Sequence, residues 1–590
     1  MSMVNRTFTQ HLVDISQTVG EKAALKFLAR GEGDPETLNF SEVNQRALTI
    51  AGHLRECGLV GCNVLLLYPS SIDYVTAFLG CLYAGVVAVP AYPPRNNRHA
   101  GRLISIIDDA NVSAVLTQSM LVEKIKNQVS VEQYITTNDL DASIEPWRNN
   151  DVVTSDIAYL QYTSGSTGSP KGAMITHKNI LSNCMLYAKG VGIDKGGVHV
   201  SWLPLFHDMG LVQGILLPLW LGATAVFMPP DKFVQKPVRW LKAISKYNAV
   251  MTGGPNFSYD LCVRRIKPKE RENLDLRSWR VAINGAEPVL KSTLEEFCNI
   301  YQSYGFSRAT FFPGYGMAEA TLYVTAGDVN SKEPNYAYIN NVSLRADKVD
   351  FCDESDKHAK SIVACGKVYS DIVVEIVDKN SLIPSACGTV GEIWLSGDSI
   401  SPGYWRKPDI TNDTFNVTLD GYPGKRFLRT GDLGFLHNGE LYITGRMKDV
   451  IIIRGENHYP QDIERLVESL HPAFRSGGFG AVFIVDQKET CGLVIVQELE
   501  RELIGSDSLD SLRGLIIKAV FEIHGLHPAD ILFISPGEVS KTSSGKVQRT
   551  ACKNRYERGE FEQVEFVNLS VSKGLKKIQV NEESESLVET

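Results

Sequence analysis

An α/β fold spread over two or more domains is what this sequence predicts, on three observations. The chain has 590 residues, more than one hydrophobic core accommodates. Up to about residue 150, apolar strand-like runs alternate with helical patterns, as parallel α/β layers require. Several later strands run straight into glycine-rich turns.

In chain order, the apolar run 64–68 (VLLLY) predicts a buried strand, 71–83 a helix and 86–89 the next strand. Residues 157–162 then lead into TSGSTG, 250–252 into GGP, 281–283 into NGAEP and 310–312 into PGYG. Ligands of open α/β sheets bind beyond the carboxyl ends of strands, so four such ends imply one composite site. The stretch 435–443 predicts a hairpin, its Asn438-Gly439 pair suited to a type I′ turn. After Lys448 the pattern becomes a smaller α/β unit containing an amphipathic helix at 509–524, and the acidic end, 581–590, is expected to be disordered. The apolar stretch 210–228 is broken by Gln213, Pro218 and Gly222 and reads as buried core, not as a membrane span.

Composition excludes some classes of function. Hydrophobic residues make up 43% and charged residues 22%, the balance of a soluble globular protein. A net charge of −8 with no basic block argues against a nucleic-acid surface. The eleven cysteines form no CxxC pair, and the first residues, MSMVNRTFTQHLVDIS, lack the apolar run of a signal peptide. Reduced thiols and a cytoplasmic location are therefore expected.

The strongest chemical signal is YTSGSTGSPKG (162–172). Glycines and small hydroxyl residues let backbone N–H groups approach phosphate oxygens, and Lys171 adds positive charge. It is not a Walker A loop, because Lys171 follows Pro170 and precedes Gly172. Alone, such a turn is more often a linker.

Further motifs follow: WLPLFHDMGL (202–211), NGAEP (284–288), GYGMAEAT (314–321), GEIWLSG (391–397), RTGDLG (429–434), GRMKDVIIIRGENHYP (445–460) and KTSSGK (541–546). In this order they resemble the acyl-adenylate-forming superfamily of acyl-CoA synthetases, peptide-synthetase adenylation domains and luciferases. FHDMGL, GYGMAEAT and AVPAYPPR (88–95) are similar to its fatty acyl-AMP ligases. The resemblance implies a fold that is α+β overall. It would have a large N-terminal region (1–447) of layered α/β subdomains plus a β-subdomain, and a small mobile C-terminal domain (448–580) hinged at Lys448.

It also implies site residues. ATP or AMP would be held by Thr163, Ser164, Gly165, Ser166, Thr167, Gly168 and Lys171 of the first loop. Gly285, Ala286 and Glu287 would join them, with Tyr315, Gly316, Met317 and Ala318. Asp432 resembles the carboxylate that accepts both ribose hydroxyls, and Arg446 the arginine that contacts ribose or phosphate. Glu319 resembles the acid that holds Mg²⁺. Lys546 resembles the catalytic lysine that reaches the α-phosphate and the acyl carboxylate, and His207 the histidine near that carboxylate. Met209, Gly210, Val212, Gly214, Ile215 and Met251 are small or apolar, as an acyl tunnel needs, and equally as a core needs.

The expected activity is ATP- and Mg²⁺-dependent activation of a fatty acid to its acyl-adenylate. Between Thr321 and Gly366 the chain carries a polar, charged segment, about 331–361, where CoA-forming relatives are shorter. Long segments of this kind are usually functional or disordered. This one resembles the insertion of fatty acyl-AMP ligases, thought to hinder the domain swing that CoA chemistry needs. The resemblance therefore implies a separate acyl carrier protein, or the polyketide or peptide synthase it serves, as acceptor. An acyl-CoA synthetase and a catalytically silent homologue stay open as alternatives. Gly505–Leu509 looks like a carrier's phosphopantetheine site but lies inside the C-terminal domain, so the carrier is expected to be another protein.

Overall fold

A computed structural model describes residues 6–93, 100–140, 143–163, 170–193, 196–327, 331, 333–487, 490–501, 504–542, 545–564 and 566–567. The chain divides into two compact units, Met1–Met447 and Lys448–Thr590.

In the first unit, one sheet has the order Gln133–Thr136, Val112–Thr117, Asn63–Leu67, Val87–Ala91, Ile157–Thr163, Lys171–Thr176. All neighbours are parallel except the last pair, a hairpin. Strand Asn63–Leu67 is buried at every position, which is why its sequence is a continuous apolar run and not an alternating one. Helix Ile72–Ala84 begins on Ser71, whose hydroxyl accepts from Tyr74 N at 3.2 Å, and stops at Gly85, where φ is +69°. It is buried almost all round because helix Phe40–Glu56 covers the side the sheet does not.

A second sheet changes character along its length. Strands Thr224–Phe227, Val198–Ser201, Met251–Gly254, Val281–Asn284 and Phe311–Gly316 are parallel neighbours in that order. Strand Phe311–Gly316 then pairs by its second half, antiparallel, with Tyr323–Ala326. From there the sheet continues antiparallel through Ala359–Lys367, Glu440–Arg446, Leu428–His437, Gly391–Gly397 and Ile372–Val377. The hairpin turn after His437 has φ +51° at Asn438 and +78° at Gly439, the two left-handed positions of a type I′ turn.

The 331–361 segment departs from an irregular loop. Its described part contains strand Tyr336–Asn340, paired along its length with the start of Ala359–Lys367, and a short helix, Asn341–Arg345. Ala337, Ile339 and Leu344 are buried. Lys291 Nζ donates to Tyr338 Oη at 2.8 Å and meets Glu354, tying the segment to helix Lys291–Tyr301.

The second unit has a hairpin (Ile451–Ile453 with Glu456–His458), helices Pro460–Leu470, Asp510–His524 and Arg549–Glu557, and a three-stranded sheet. In its central strand, Leu493 and Ile495 join one apolar cluster, Val494 and Val496 the other, so the two-residue period serves layers on both faces. Asp507 and Ser508 end a strand, Ile504–Ser508, that pairs with Phe566–Val567. The 581–590 tail lies outside the described residues. Among the described residues no helix is long and apolar enough to cross a membrane, and the 210–228 stretch is almost wholly buried.

Candidate active site

Three adjacent parallel strands end together. Gly285 N donates to Gly254 O at 3.4 Å, and a Cβ on Gly285 would stand 2.7 Å from Gly314 O, so only glycine lets these strand ends touch. Ala286 follows at φ +68°. Glu287 Oε1 accepts from Phe257 N at 2.6 Å, at the start of helix Asn256–Arg265, so this carboxylate also serves a helix N-terminus.

Tyr315, Asp432 and Arg446 meet where the sheet changes from parallel to antiparallel. The register opposes Asp432 to Arg446 on neighbouring strands. Arg446 Nε donates to Asp432 Oδ1 at 2.8 Å, and Tyr315 Oη to Asp432 Oδ2 at 2.7 Å. Loss of solvent and then the Asp432 charge hold the Tyr315 phenol well above its usual range, so it stays a donor. Beneath them is a carboxylate the sequence reading left without a role. Buried Glu392 receives Arg429 Nη2 at 2.9 Å, Gly431 N at 3.1 Å and Trp394 Nε1 at 3.0 Å, fixing the turn that carries Asp432.

Glu319 sits on a short turn, Ala318–Ala320, and is buried. Its Oε1 accepts from Tyr404 Oη at 2.8 Å, and its backbone oxygen accepts from Ser401 N at 2.8 Å. Burial raises its pKa, while the Tyr404 hydroxyl and the Arg446 charge pull it down. Tyr404 was missed in the sequence, being 85 residues away. Its ring lies under Lys171, with Nζ 5.3 Å from the centroid.

Of the glycine-rich loop, Thr163 and Lys171 face each other across its hairpin. Ser164, Gly165, Ser166, Thr167 and Gly168 lie outside the described residues. The hairpin is gripped from both sides. Trp405 N donates to Gly172 O at 2.8 Å and Met174 N to Gly403 O at 3.0 Å. Tyr162 Oη donates to Asp109 Oδ2 at 2.7 Å, and Lys407 meets the same carboxylate.

His207 Nδ1 lies 2.5 Å from Asp208 Oδ1, and Asp208 accepts from Met209 N at 2.7 Å. The chain then winds as a π-helix, Met209–Leu216, with every residue buried. A Cβ on Gly210 would stand 2.0 Å from Pro204 O, so the turn before it closes only on glycine. Met209, Val212, Ile215 and Met251 belong to the main core cluster, and Gly210 and Gly214 are buried beside them. A 780 Å³ cleft lined by residues 16–22 with Ser41, Asn44 and Gln45 shares no residue with this site.

Lys546 and Lys448 belong to the second unit. Lys546 is bonded to Thr542, its N–H donating to Thr542 Oγ1 at 3.0 Å and its carbonyl accepting from Thr542 N at 2.8 Å. Arg549 pins the helix that follows, reaching Glu464 and Asp449 at 2.7 Å. Burial opposes its charge, but the two carboxylates hold its pKa up.

Mg²⁺ suits this donor set. Glu319 is a buried carboxylate, and one carboxylate plus nucleotide phosphates is a usual magnesium environment. Among the described residues no group of three or more His, Cys, Asp or Glu could hold a metal by itself.

The family described as AMP-binding enzyme matches residues 14–405, and the AMP domain of the Disco-interacting protein 2-like family matches 448–565. The chain is 39% identical over 557 residues to a medium-chain-fatty-acid–[acyl-carrier-protein] ligase of Moorena producens, covering 92% of this chain and 94% of the relative. It is 37% identical over 553 residues to a provisionally named fatty-acid–CoA ligase of Mycobacterium tuberculosis, covering 90% and 93%. A solved fatty acyl-adenylate ligase of Legionella pneumophila, in complex with acyl adenylate and pyrophosphate, superposes with a TM-score of 0.73 at 35% identity, covering 95% and 98%.

Proposed function

The chain belongs to the AMP-binding enzyme family, and from that membership we propose that it joins a fatty acid to AMP, releasing pyrophosphate, for transfer to a separate acyl carrier protein. The enzyme is a ligase that uses ATP. The observation that carries the reading is the convergence of Tyr315, Asp432, Arg446 and Glu319 at the end of one strand.

A fatty carboxylate and a triphosphate repel each other. The carboxylate oxygen attacks the α-phosphorus, the bond to the leaving pyrophosphate breaks, and its electron pair departs with pyrophosphate. Positioning and charge neutralisation carry such a step. Each Asp432 oxygen has taken one donor and keeps a lone pair for a ribose hydroxyl. Ala286 and Tyr315 flank the base, while Arg446, Lys171 and the 163–168 loop neutralise phosphate charge. Bound Mg²⁺ would screen the phosphates, with Glu319 as the group that holds it. His207 stands beside the acyl carboxylate, ahead of a tunnel bordered by Met209, Gly210, Val212, Gly214, Ile215 and Met251. Lys546 of the C-terminal domain neutralises charge between carboxylate and α-phosphate, and Lys448 is the hinge on which that domain turns.

The Moorena relative's name supports a carrier-protein thiol as acceptor. The folded, anchored 331–361 segment supports it too. The Mycobacterium relative's name favours a second reading, transfer to CoA. Free thiols at the described cysteines support a cytoplasmic location, where ATP is at hand. Incubation with ATP, Mg²⁺ and a fatty acid, with and without CoA, tests this by mass spectrometry. Acyl-AMP that persists with CoA present supports the carrier reading, rapid acyl-CoA formation selects the second, and no acyl-AMP sinks both.

A further inference from the structure

Segment 401–405 touches both halves of the nucleotide site. It grips the hairpin of the glycine-rich loop through Trp405 N to Gly172 O (2.8 Å), Met174 N to Gly403 O (3.0 Å) and Ser401 Oγ to Met174 O (2.9 Å). It also meets Glu319 twice, by the Ser401 N–H on the backbone oxygen and by the Tyr404 hydroxyl on Oε1. Tyr404 itself is immobilised. Its N–H donates to Thr411 Oγ1 at 3.0 Å, its backbone bridges to Ala173, and its ring packs edge-on against Phe415 at 5.0 Å.

Glu319 needs such a support. It stands on a three-residue turn followed by Thr321 at φ +69°, with no long helix to hold its rotamer. A carboxylate that is to face a cation must be kept from turning away, and a fixed hydroxyl on one oxygen does this while leaving the other open. We propose that Tyr404 is a positioning residue for the divalent cation of the nucleotide, holding Glu319 Oε1 so that Oε2 is left to the metal. This rests on the reading of Glu319 as the cation-holding acid. It also ties the cation's place to that of the phosphate loop, since one segment sets both.

The test is the dissociation constant of ATP, by calorimetry without fatty acid, in EDTA and in saturating Mg²⁺. Wild type, Tyr404→Phe, Glu319→Gln and the double variant are compared. Tyr404→Phe keeps the ring against Phe415 and under Lys171, so the packing is retained. The expected result is that it binds ATP normally in EDTA but loses about tenfold of the tightening that Mg²⁺ brings, the worth of one hydrogen bond to a charged group. The double variant should lose no more than Glu319→Gln alone. A Tyr404→Phe protein that keeps the full Mg²⁺ effect overturns the proposal, as does one that loses ATP affinity equally in EDTA. If Glu319→Gln also keeps the Mg²⁺ effect, the reading of Glu319 falls with it.

Discussion

Tyr315 Oη stands 2.7 Å from Asp432 Oδ2, joining a strand of the parallel half of the sheet to one of the antiparallel half. Removing that hydroxyl in Tyr315→Phe leaves a buried carboxylate oxygen short of a donor, and the KM for ATP should rise about tenfold. Asp432→Ala also removes the ribose acceptors and should cost about a hundredfold. The KM for fatty acid should hardly change, which steady-state kinetics with each substrate varied in turn will check.

Glu392 gathers donors from Arg429, Gly431 and Trp394 in a buried position. Glu392→Ala would strand the Arg429 guanidinium and free the turn that carries Asp432. A loss of about 3–5 kcal/mol in unfolding free energy is expected, visible in urea titration. Weaker ATP binding should accompany it.

Two residues near the chain's end should separate chemistry from scaffold. Lys546→Ala should lower acyl-adenylate formation by about a hundredfold or more while the melting temperature holds. Arg549→Ala abandons Glu464 and Asp449 and should lower the melting transition of the C-terminal unit. Scanning calorimetry beside a pyrophosphate-release assay distinguishes them, and near-normal release by Lys546→Ala would refute its assignment.

Acid should destabilise the first unit. Burial pushes His177 down to about 4, with Asp156 opposing only in part. The native state therefore binds this proton less readily than the unfolded chain, whose histidines titrate near 6.5. The stability from the neutral ring is complete above about pH 6.5 and is lost as pH falls from there toward 4. Measured by urea titration, His177→Asn should flatten that slope.

What was readable in the sequence was local. Asn438-Gly439 announced its turn, and the run 64–68 announced a strand buried on both faces. The strand Tyr336–Asn340 was hidden because its buried members, Ala337 and Ile339, alternate with Tyr and Asn inside a strongly polar stretch. The π-helix Met209–Leu216 was hidden for the opposite reason, an apolar stretch buried on every side having no period to reveal its winding. Roles assigned to Asp432 and Glu319 came from motif resemblance. Glu392, which holds the turn before Asp432, and Tyr404, which holds Glu319, escaped because their contacts span 37 to 39 and 85 positions.

Strand Phe311–Gly316 belongs to two sheet types at once, and this bears on the order of folding. Its contact with Asp432 closes a loop of 117 residues. Pairings so distant form late, after local helices and hairpins. ATP added to refolding protein should thus leave the early phases untouched and act only on the last. A fragment ending before residue 428 should bind no nucleotide, however well its parallel strands assemble.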